Sequence, residues 1–215
     1  MLVSIIICTH RSERYEDLLE ALDSLKAQSY NNLEIVVVVD GNKELYNELA
    51  KGGIEVDKLK LILNEENLGL SESRNRGIRD ARGDIIAFFD DDAVADMNWL
   101  EELVRMYEEH DAIAAGGKIL PKWVTKKPKF LPEEYYWLIG ATHKGFPEEV
   151  TEVRNTFGSN LSFKADVLKA LNGFRGEMGV KGKGLLQGEE TELCERMRGK
   201  FGRGVVYNPE AIVYH

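Results

Sequence analysis

The stretch IIAFFDDDAV, residues 85–94, decides how the chain is read. Five apolar side chains in a row are more than a strand with one wet face carries. The run fits a strand buried on both faces, as in a parallel sheet covered by helices. It then enters Asp90, Asp91 and Asp92 directly. Two like charges ~4 Å apart repel by roughly 4 kcal/mol at an effective dielectric near 20. Such a cluster calls for a positive partner.

Working outward, LVSIIIC (2–8), LEIVVVVD (33–40) and KLKLILN (58–64) are further strand-length runs, rich in apolar and β-branched residues. Between them Tyr15, Leu18, Leu19, Leu22 and Leu25 recur at helical spacing, and 43–51, 71–81 and 97–109 read as further helices. Strands alternating with amphipathic helices predict an α/β fold with a mostly parallel, Rossmann-like central sheet. After about residue 110 the rhythm changes. AIAAGGKIL (112–120) reads as a strand, KWVTKKPKFLPEEYYWLIG (122–140) has no regular period, and TEVRNTFGSNLSFK (151–164) alternates as one strand. Short helices at 165–171 and 189–199 and the strand-like GVVYNPEAIVYH follow. The expectation is a single domain over 1–215, with a nucleotide-binding half (about 1–110) and an acceptor half (about 111–215) on one sheet. The stop inside a strand pattern reads as truncation before a C-terminal extension.

The 215 residues carry a net charge of −9, which argues against nucleic acid as a partner. Cys8 and Cys194 are isolated, so free thiols in a reducing, cytoplasmic compartment are expected. No run reaches the ~20 apolar residues of a membrane span. MLVSIIICTH lacks the charged leader of a signal peptide.

In open parallel sheets ligands bind beyond the carboxyl ends of the strands. Thr9-His10-Arg11, Asp40-Gly41-Asn42 and Asp90-Asp91-Asp92 all fall there. If the fourth strand continues through the aspartates, Asp90 and Asp92 share a face and Asp91 points away. Hard divalent cations such as Mg²⁺ and Mn²⁺ take oxygen ligands, and Mg²⁺ commonly keeps substrate phosphates among them. A cation between Asp92 and a diphosphate would relieve the repulsion. A solvated acidic turn accounts for the aspartates equally simply, and a calcium loop fits poorly without its glycine and terminal glutamate.

VSIIICTHR, LEIVVVVDG, NLGLSESRNRGIRDARGDIIAFFDDDA, FGSNLSFKADVLKALNGF and GEETELCERMR, in this order, resemble the family 2 glycosyltransferases of GT-A fold. The resemblance implies an inverting, metal-dependent transferase that uses a nucleoside diphosphate sugar, a UDP-sugar in the first instance. It implies that Thr9, Arg11 and Asp40 lie around base and ribose and that Arg74 faces the nucleotide sugar. Asp90 and Asp91 would approach ribose or sugar, and Asp92, with Asp90 beside it, would hold Mn²⁺ or Mg²⁺. Gly158 and Asn160 match the segment lining the sugar and acceptor side. His215 matches a position where a histidine reaches the metal or diphosphate.

At 188–190 the chain reads Gly-Glu-Glu where the family has Glu-Asp opening a helix. An acceptor hydroxyl loses its proton as it attacks, and a positioned base contributes about 10²–10⁴-fold. Glu190 matches the base position, with Glu189 the alternative. Acidic residues also stabilise helix amino termini by about 0.3–1 kcal/mol without any catalytic part. The glycine-rich GVKGKG (179–184) reads as a flap over the substrate or as an ordinary surface loop.

Two other enzyme classes fit less well. A sugar-nucleotide pyrophosphorylase wants a glycine-rich loop after strand one, and CTHRSERY has no glycine. An aspartate-nucleophile phosphatase places its aspartates after the first strand. A catalytically silent sugar-nucleotide-binding module is the remaining alternative, which the presence of Asp92 and the 188–190 carboxylates opposes. Residues 118–137 gather Lys118, Lys122, Lys126, Lys127 and Lys129 with Trp123, Phe130, Tyr135, Tyr136 and Trp137. That composition suits a lipid headgroup region, and it equally suits rings packed on the sheet beneath solvated lysines. The wording of 118–140 also resembles archaeal glucuronosyltransferases that extend dolichyl-phosphate-linked glucose, an acceptor met at the cytoplasmic face of a membrane.

Overall fold

A computed structural model describes residues 1–52, 58–179 and 188–215. The central sheet has the order β3-β2-β1-β4-β8-β6-β9-β5, with β7 paired on β9. Its strands are β1 (Val3–Thr9), β2 (Leu33–Asp40), β3 (Leu59–Asn64), β4 (Ile85–Asp90), β5 (Val94–Ala95), β6 (Ala114–Leu120), β7 (Thr151–Val153), β8 (Leu161–Lys164) and β9 (Val205–Tyr214). The helices are α1 (Tyr15–Lys26), α2 (Lys43–Lys51), α3 (Leu70–Asp80), α4 (Trp99–Glu109), α5 (Ala165–Leu171) and α6 (Glu189–Phe201).

β1 to β4 are parallel where they pair, as the continuous apolar runs require. Side chains alternate between two cores. Ile5, Ile7, Ile35, Val37, Val39, Ala87 and Phe89 face α1, α2 and α4, while Ile6, Val36, Val38, Ile86 and Phe88 face α5 and α6. Each fully buried Val, Leu, Ile or Phe contributes about 1.5–3 kcal/mol relative to exposure. α3 lies close over β1 because Gly77 has no side chain, and a Cβ there would press into Ile6.

The second half joins through β8, which runs antiparallel to both β4 and β6. β6 and β9 pair in parallel, with an irregularity between Gly117 and Lys118. Two expectations differ from the structure. The single strand over 151–164 is split into β7 and β8, because the Thr156 hydroxyl donates to the Asn160 carbonyl and turns the chain between them. β4 stops at Asp90, where a bond from Ala93 N to Asp90 O starts a turn, so Asp91 and Asp92 do not continue the strand's alternation. Cys8 and Cys194 are free, and burial pushes both thiols up to about 12. The glycine-rich stretch lies outside the described residues beyond Gly179.

Candidate active site

The parallel register sets Cys8 beside Asp90, Thr9 beside Val39, and Asp40 beside Asn64. The tips of β1, β2 and β4 therefore share one edge. There a cleft of about 430 Å³ is lined by Thr9, Arg11, Arg14, Asp40, Asp90, Asp91, Asp92 and His215, among others.

One wall is built by Asp40. Its carboxylate accepts from Asn64 Nδ2, Leu68 N and Gly69 N, each at 2.9 Å, and so fixes the turn that enters α3. Gly41, at φ +67°, passes so close to Asn67 that any side chain would strike its backbone. Asn42 caps α2 through Leu45 N and also donates to His10 O and Ser12 Oγ, which ties the tips of β1 and β2 together. Arg11 is exposed at the mouth. Thr9 Oγ1 is buried and has no hydrogen-bond partner among the described residues, so a polar group faces the cleft without a match there.

The aspartates meet two cationic groups across the fold. Arg14 Nη1 lies 2.7 Å from Asp91 Oδ1 and 3.0 Å from Asp92 Oδ2. His215 Nε2 lies 3.1 Å from Asp92 Oδ1 and 3.9 Å from Asp90 Oδ2. Bonds from His215 N to Leu120 O and from Lys122 N to His215 O hold that histidine in place. Burial works to raise the Asp92 pKa, but the His215 bond and the nearby positive charges bring it below the ordinary value. The same bond raises His215. Asp90, whose side chain is about one-third exposed, is raised, desolvation outweighing the pull of Arg74 and His215.

A second cluster adjoins the first. Arg74, 3% exposed, reaches from α3 to Glu190 Oε1 at 2.8 Å and Glu189 Oε1 at 3.1 Å, and its other nitrogen stands 3.7 Å from Asp90. Its guanidinium carbon sits 5.7 and 5.3 Å from the ring centres of Phe88 and Phe174, packing that suits a cation over aromatic faces. Glu189 is buried and closes on its own helix, accepting from Gly188 N, and burial with Glu190 alongside pushes its pKa up. Glu190 is more open, and among the described residues its Oε2 carries no hydrogen bond. Gly158 lies directly against Glu190 and Arg74, and a side chain there would strike both.

Asn160 does not line the cleft. It is fully buried, donates to Lys118 O and Ala211 O, and accepts from Trp99 Nε1, so its amide braces β6, β9 and α4. Sequence reasoning did not single out Arg14. The signal lay in the β1–β4 pairing, which makes a basic residue just after β1 the nearest cation to Asp91.

Among the described residues, five carboxylates thus face two guanidinium groups and one imidazole. This excess of negative charge, in an oxygen-rich set with one imidazole, fits a hard divalent cation at Asp90, Asp92 and His215. Among the described residues no three such side chains are already gathered as ligands, and both Asp92 oxygens are engaged.

In the second half of the chain, residues 122–140 form a knob around the 3-10 helix Glu133–Ile139. Tyr136 is buried with Ile119 and Ala141, edge-on to Trp123 and beneath the Lys127 ammonium. Phe130 is 86% and Val124 95% exposed, with Tyr135, Trp137 and Leu138 exposed beside them. Trp123 and Tyr136 therefore pack inward, whereas Phe130, Tyr135 and Trp137 do not.

The glycosyl transferase family 2 profile matches residues 4–171, more than half of the chain. The chain belongs to this family. It is 44% identical over its full length to the glucosyl-dolichyl phosphate glucuronosyltransferase of Haloferax volcanii, of which it spans 69%. An uncharacterized glycosyltransferase of Haemophilus influenzae is 36% identical over 62% of this chain and 41% of its own. The fold is that of S. aureus TarS, solved with UDP, at a TM-score of 0.75 and 20% identity over all of this chain and 60% of that one. It is also that of a Pyrobaculum calidifontis mannosyltransferase solved with GDP-Man and Mn²⁺, at a TM-score of 0.70 and 20% identity over 99% of this chain and 56% of that one. Those neighbours are GT-A glycosyltransferases, and this chain is a family 2 glycosyltransferase with their fold.

Proposed function

We propose that the enzyme is an inverting, metal-dependent transferase that moves a sugar from a UDP-sugar, UDP-glucuronic acid in particular, to a hydroxyl of a dolichyl- or polyprenyl-phosphate-linked sugar. The observation that carries this reading is the joining of two clusters. Arg74 links the aspartate tip of β4 to Glu190 across 3.7 and 2.8 Å, which supports reading the aspartates as the diphosphate end and Glu190 as the base beside it. The donor and acceptor follow the relative from Haloferax volcanii, a glucuronosyltransferase acting on glucosyl-dolichyl phosphate.

In this reading Thr9, Arg11 and Asp40 line the nucleoside end, and the buried Thr9 hydroxyl gains a partner when the ligand enters. Asp90, Asp92 and His215 would hold Mn²⁺ or Mg²⁺, which would supply charge neutralisation to the departing diphosphate. Glu190 Oε2 takes the proton of the acceptor hydroxyl as that oxygen bonds to the anomeric carbon and the carbon–diphosphate bond breaks on the opposite face. Glu189 is the weaker candidate, because Arg74 and Gly188 N already occupy its oxygens. Arg74 holds the base in position. The exposed rings and lysines of the knob at 122–140 rest on the membrane that carries the acceptor. A Cβ placed on Gly140 would stand 3.5 Å from the His215 ring, so the knob lies beside the site it would serve.

The test uses UDP-glucuronic acid with a polyprenyl-phosphate-linked glucose. Glu190→Gln is expected to bind UDP normally and lose transfer by about 10²–10⁴-fold. Retained transfer in that variant, with loss in Glu189→Gln, moves the base to Glu189. No transfer by the unaltered chain across a panel of UDP- and GDP-sugars contradicts the proposal.

A further inference from the structure

Asp92 has no oxygen to spare. His215 takes Oδ1 and Arg14 takes Oδ2. A divalent cation bound by Asp92 therefore has to share or replace one of these contacts. His215 is anchored by backbone bonds to Leu120 and Lys122 on both sides, and its imidazole is a competent ligand. Arg14 differs in each respect. It hangs on a long side chain, 37% exposed, from the short turn Ser12–Arg14 ahead of α1. Its guanidinium stays protonated and cannot ligate a metal. It would instead repel the incoming cation.

The other half of the contact is firmer. Asp91 is only 6% exposed and holds Arg14 at 2.7 Å. Arg14 can thus release Asp92 without leaving the cleft that it lines. A single nitrogen, Nη1, makes both carboxylate contacts, and among the described residues the rest of the planar fork has no acceptor. Guanidinium groups suit phosphate because they donate two parallel bonds.

We propose that Arg14 is the resident counter-ion of the aspartate cluster: it gives up Asp92 when a divalent cation enters, keeps Asp91, and turns its open edge to the diphosphate that the cation accompanies. The inference rests on the metal-dependent reading above. It makes Arg14 a guard against idle metal binding and a contact for the loaded donor. The positive charge that balances the aspartates before the reaction is thereby reused on the leaving group.

Calorimetry separates these roles without any turnover. With Mn²⁺ alone, Arg14→Gln is expected to bind the ion roughly tenfold more tightly than the unaltered chain, since a competing charge is gone. With Mn²⁺ saturating, the same variant is expected to bind UDP roughly tenfold more weakly. Arg14→Lys keeps the charge and loses the fork, so its Mn²⁺ affinity stays near that of the unaltered chain while UDP binding weakens. A folding defect would weaken both ligands and does not mimic these opposite signs. Mn²⁺ binding by Arg14→Gln that is unchanged or weaker makes Arg14 a brace for the aspartates and overturns the inference, as does unchanged UDP affinity. Uptake of Mn²⁺ alone by Arg14→Gln but not by the unaltered chain supports the guard when the unaltered chain takes up the ion once UDP is added. No uptake by the unaltered chain even with UDP contradicts metal use by the native enzyme. Uptake by neither overturns both.

Discussion

At the amino ends of β1, β2 and β4 one buried carboxylate, Glu34, is met by a matching set of donors. Ser4 Oγ and Arg82 N lie 2.5 and 2.6 Å from Oε1, and Arg82 Nε and Nη2 lie 2.8 and 2.7 Å from Oε2. At the carboxyl ends of the same strands, five carboxylates share two guanidinium groups and an imidazole. The strands are alike, and the polar chemistry at their two ends is not. One end is balanced and closes the turn that leads into β4. Among the described residues the other is left short of positive charge, a state that a fold selected for stability alone has no reason to keep.

If that contrast is right, substitutions at the two ends should differ in size and kind. The largest stability effect is expected at Arg74, whose removal strands the buried Glu189 and leaves Glu190 and Asp90 without their cation. Arg74→Met should lower unfolding free energy by about 3–5 kcal/mol in a denaturant titration. A change below about 1 kcal/mol would mean that water reaches those carboxylates and that they are not buried partners.

Glu34→Gln should cost less, about 1.5–3 kcal/mol, because hydrogen bonds to a charged group are lost while exposed Arg82 returns to water. Burial pushes the Glu34 carboxyl up, but the bonds from Ser4 and Arg82 outweigh it, and its folded pKa lies below the ordinary 4.5. Its contribution is therefore full above pH 4.5 and fades as pH falls through the depressed value. Stability measured against pH should accordingly lose part of its acid limb in the Gln variant. An identical limb would remove Glu34 from the account.

The smallest stability change is expected at the knob. Phe130→Ser with Trp137→Ser should shift unfolding by no more than about 0.5 kcal/mol per site, since both rings are exposed. The same pair should reduce binding to vesicles containing anionic lipid. Unchanged vesicle binding would leave the rings without a membrane role.

The apolar runs of β1, β2 and β4 made the first half readable, because a strand buried on both faces has few alternatives in a covered parallel sheet. The three strand-tip clusters were readable for the same reason, as topology alone brings them to one edge. Arg14 escaped because its importance arises from β1 lying next to β4, a pairing that no local pattern announces. The turn between β7 and β8 was hidden by alternation that continues across it. Asn160 illustrates the limit of position: it stands two residues from Gly158, yet its amide is spent bracing Lys118, Trp99 and Ala211. The inward and outward rings of 122–140 were likewise inseparable in a segment without a period.

The most direct measurement is UDP affinity by calorimetry, with and without Mn²⁺, in the unaltered chain and in Asp92→Asn. The unaltered chain should bind UDP roughly tenfold or more tightly when Mn²⁺ is present, and the variant should bind it equally in both conditions. An equal gain from Mn²⁺ in Asp92→Asn, or no gain in the unaltered chain, would contradict a cation held at the tip of β4.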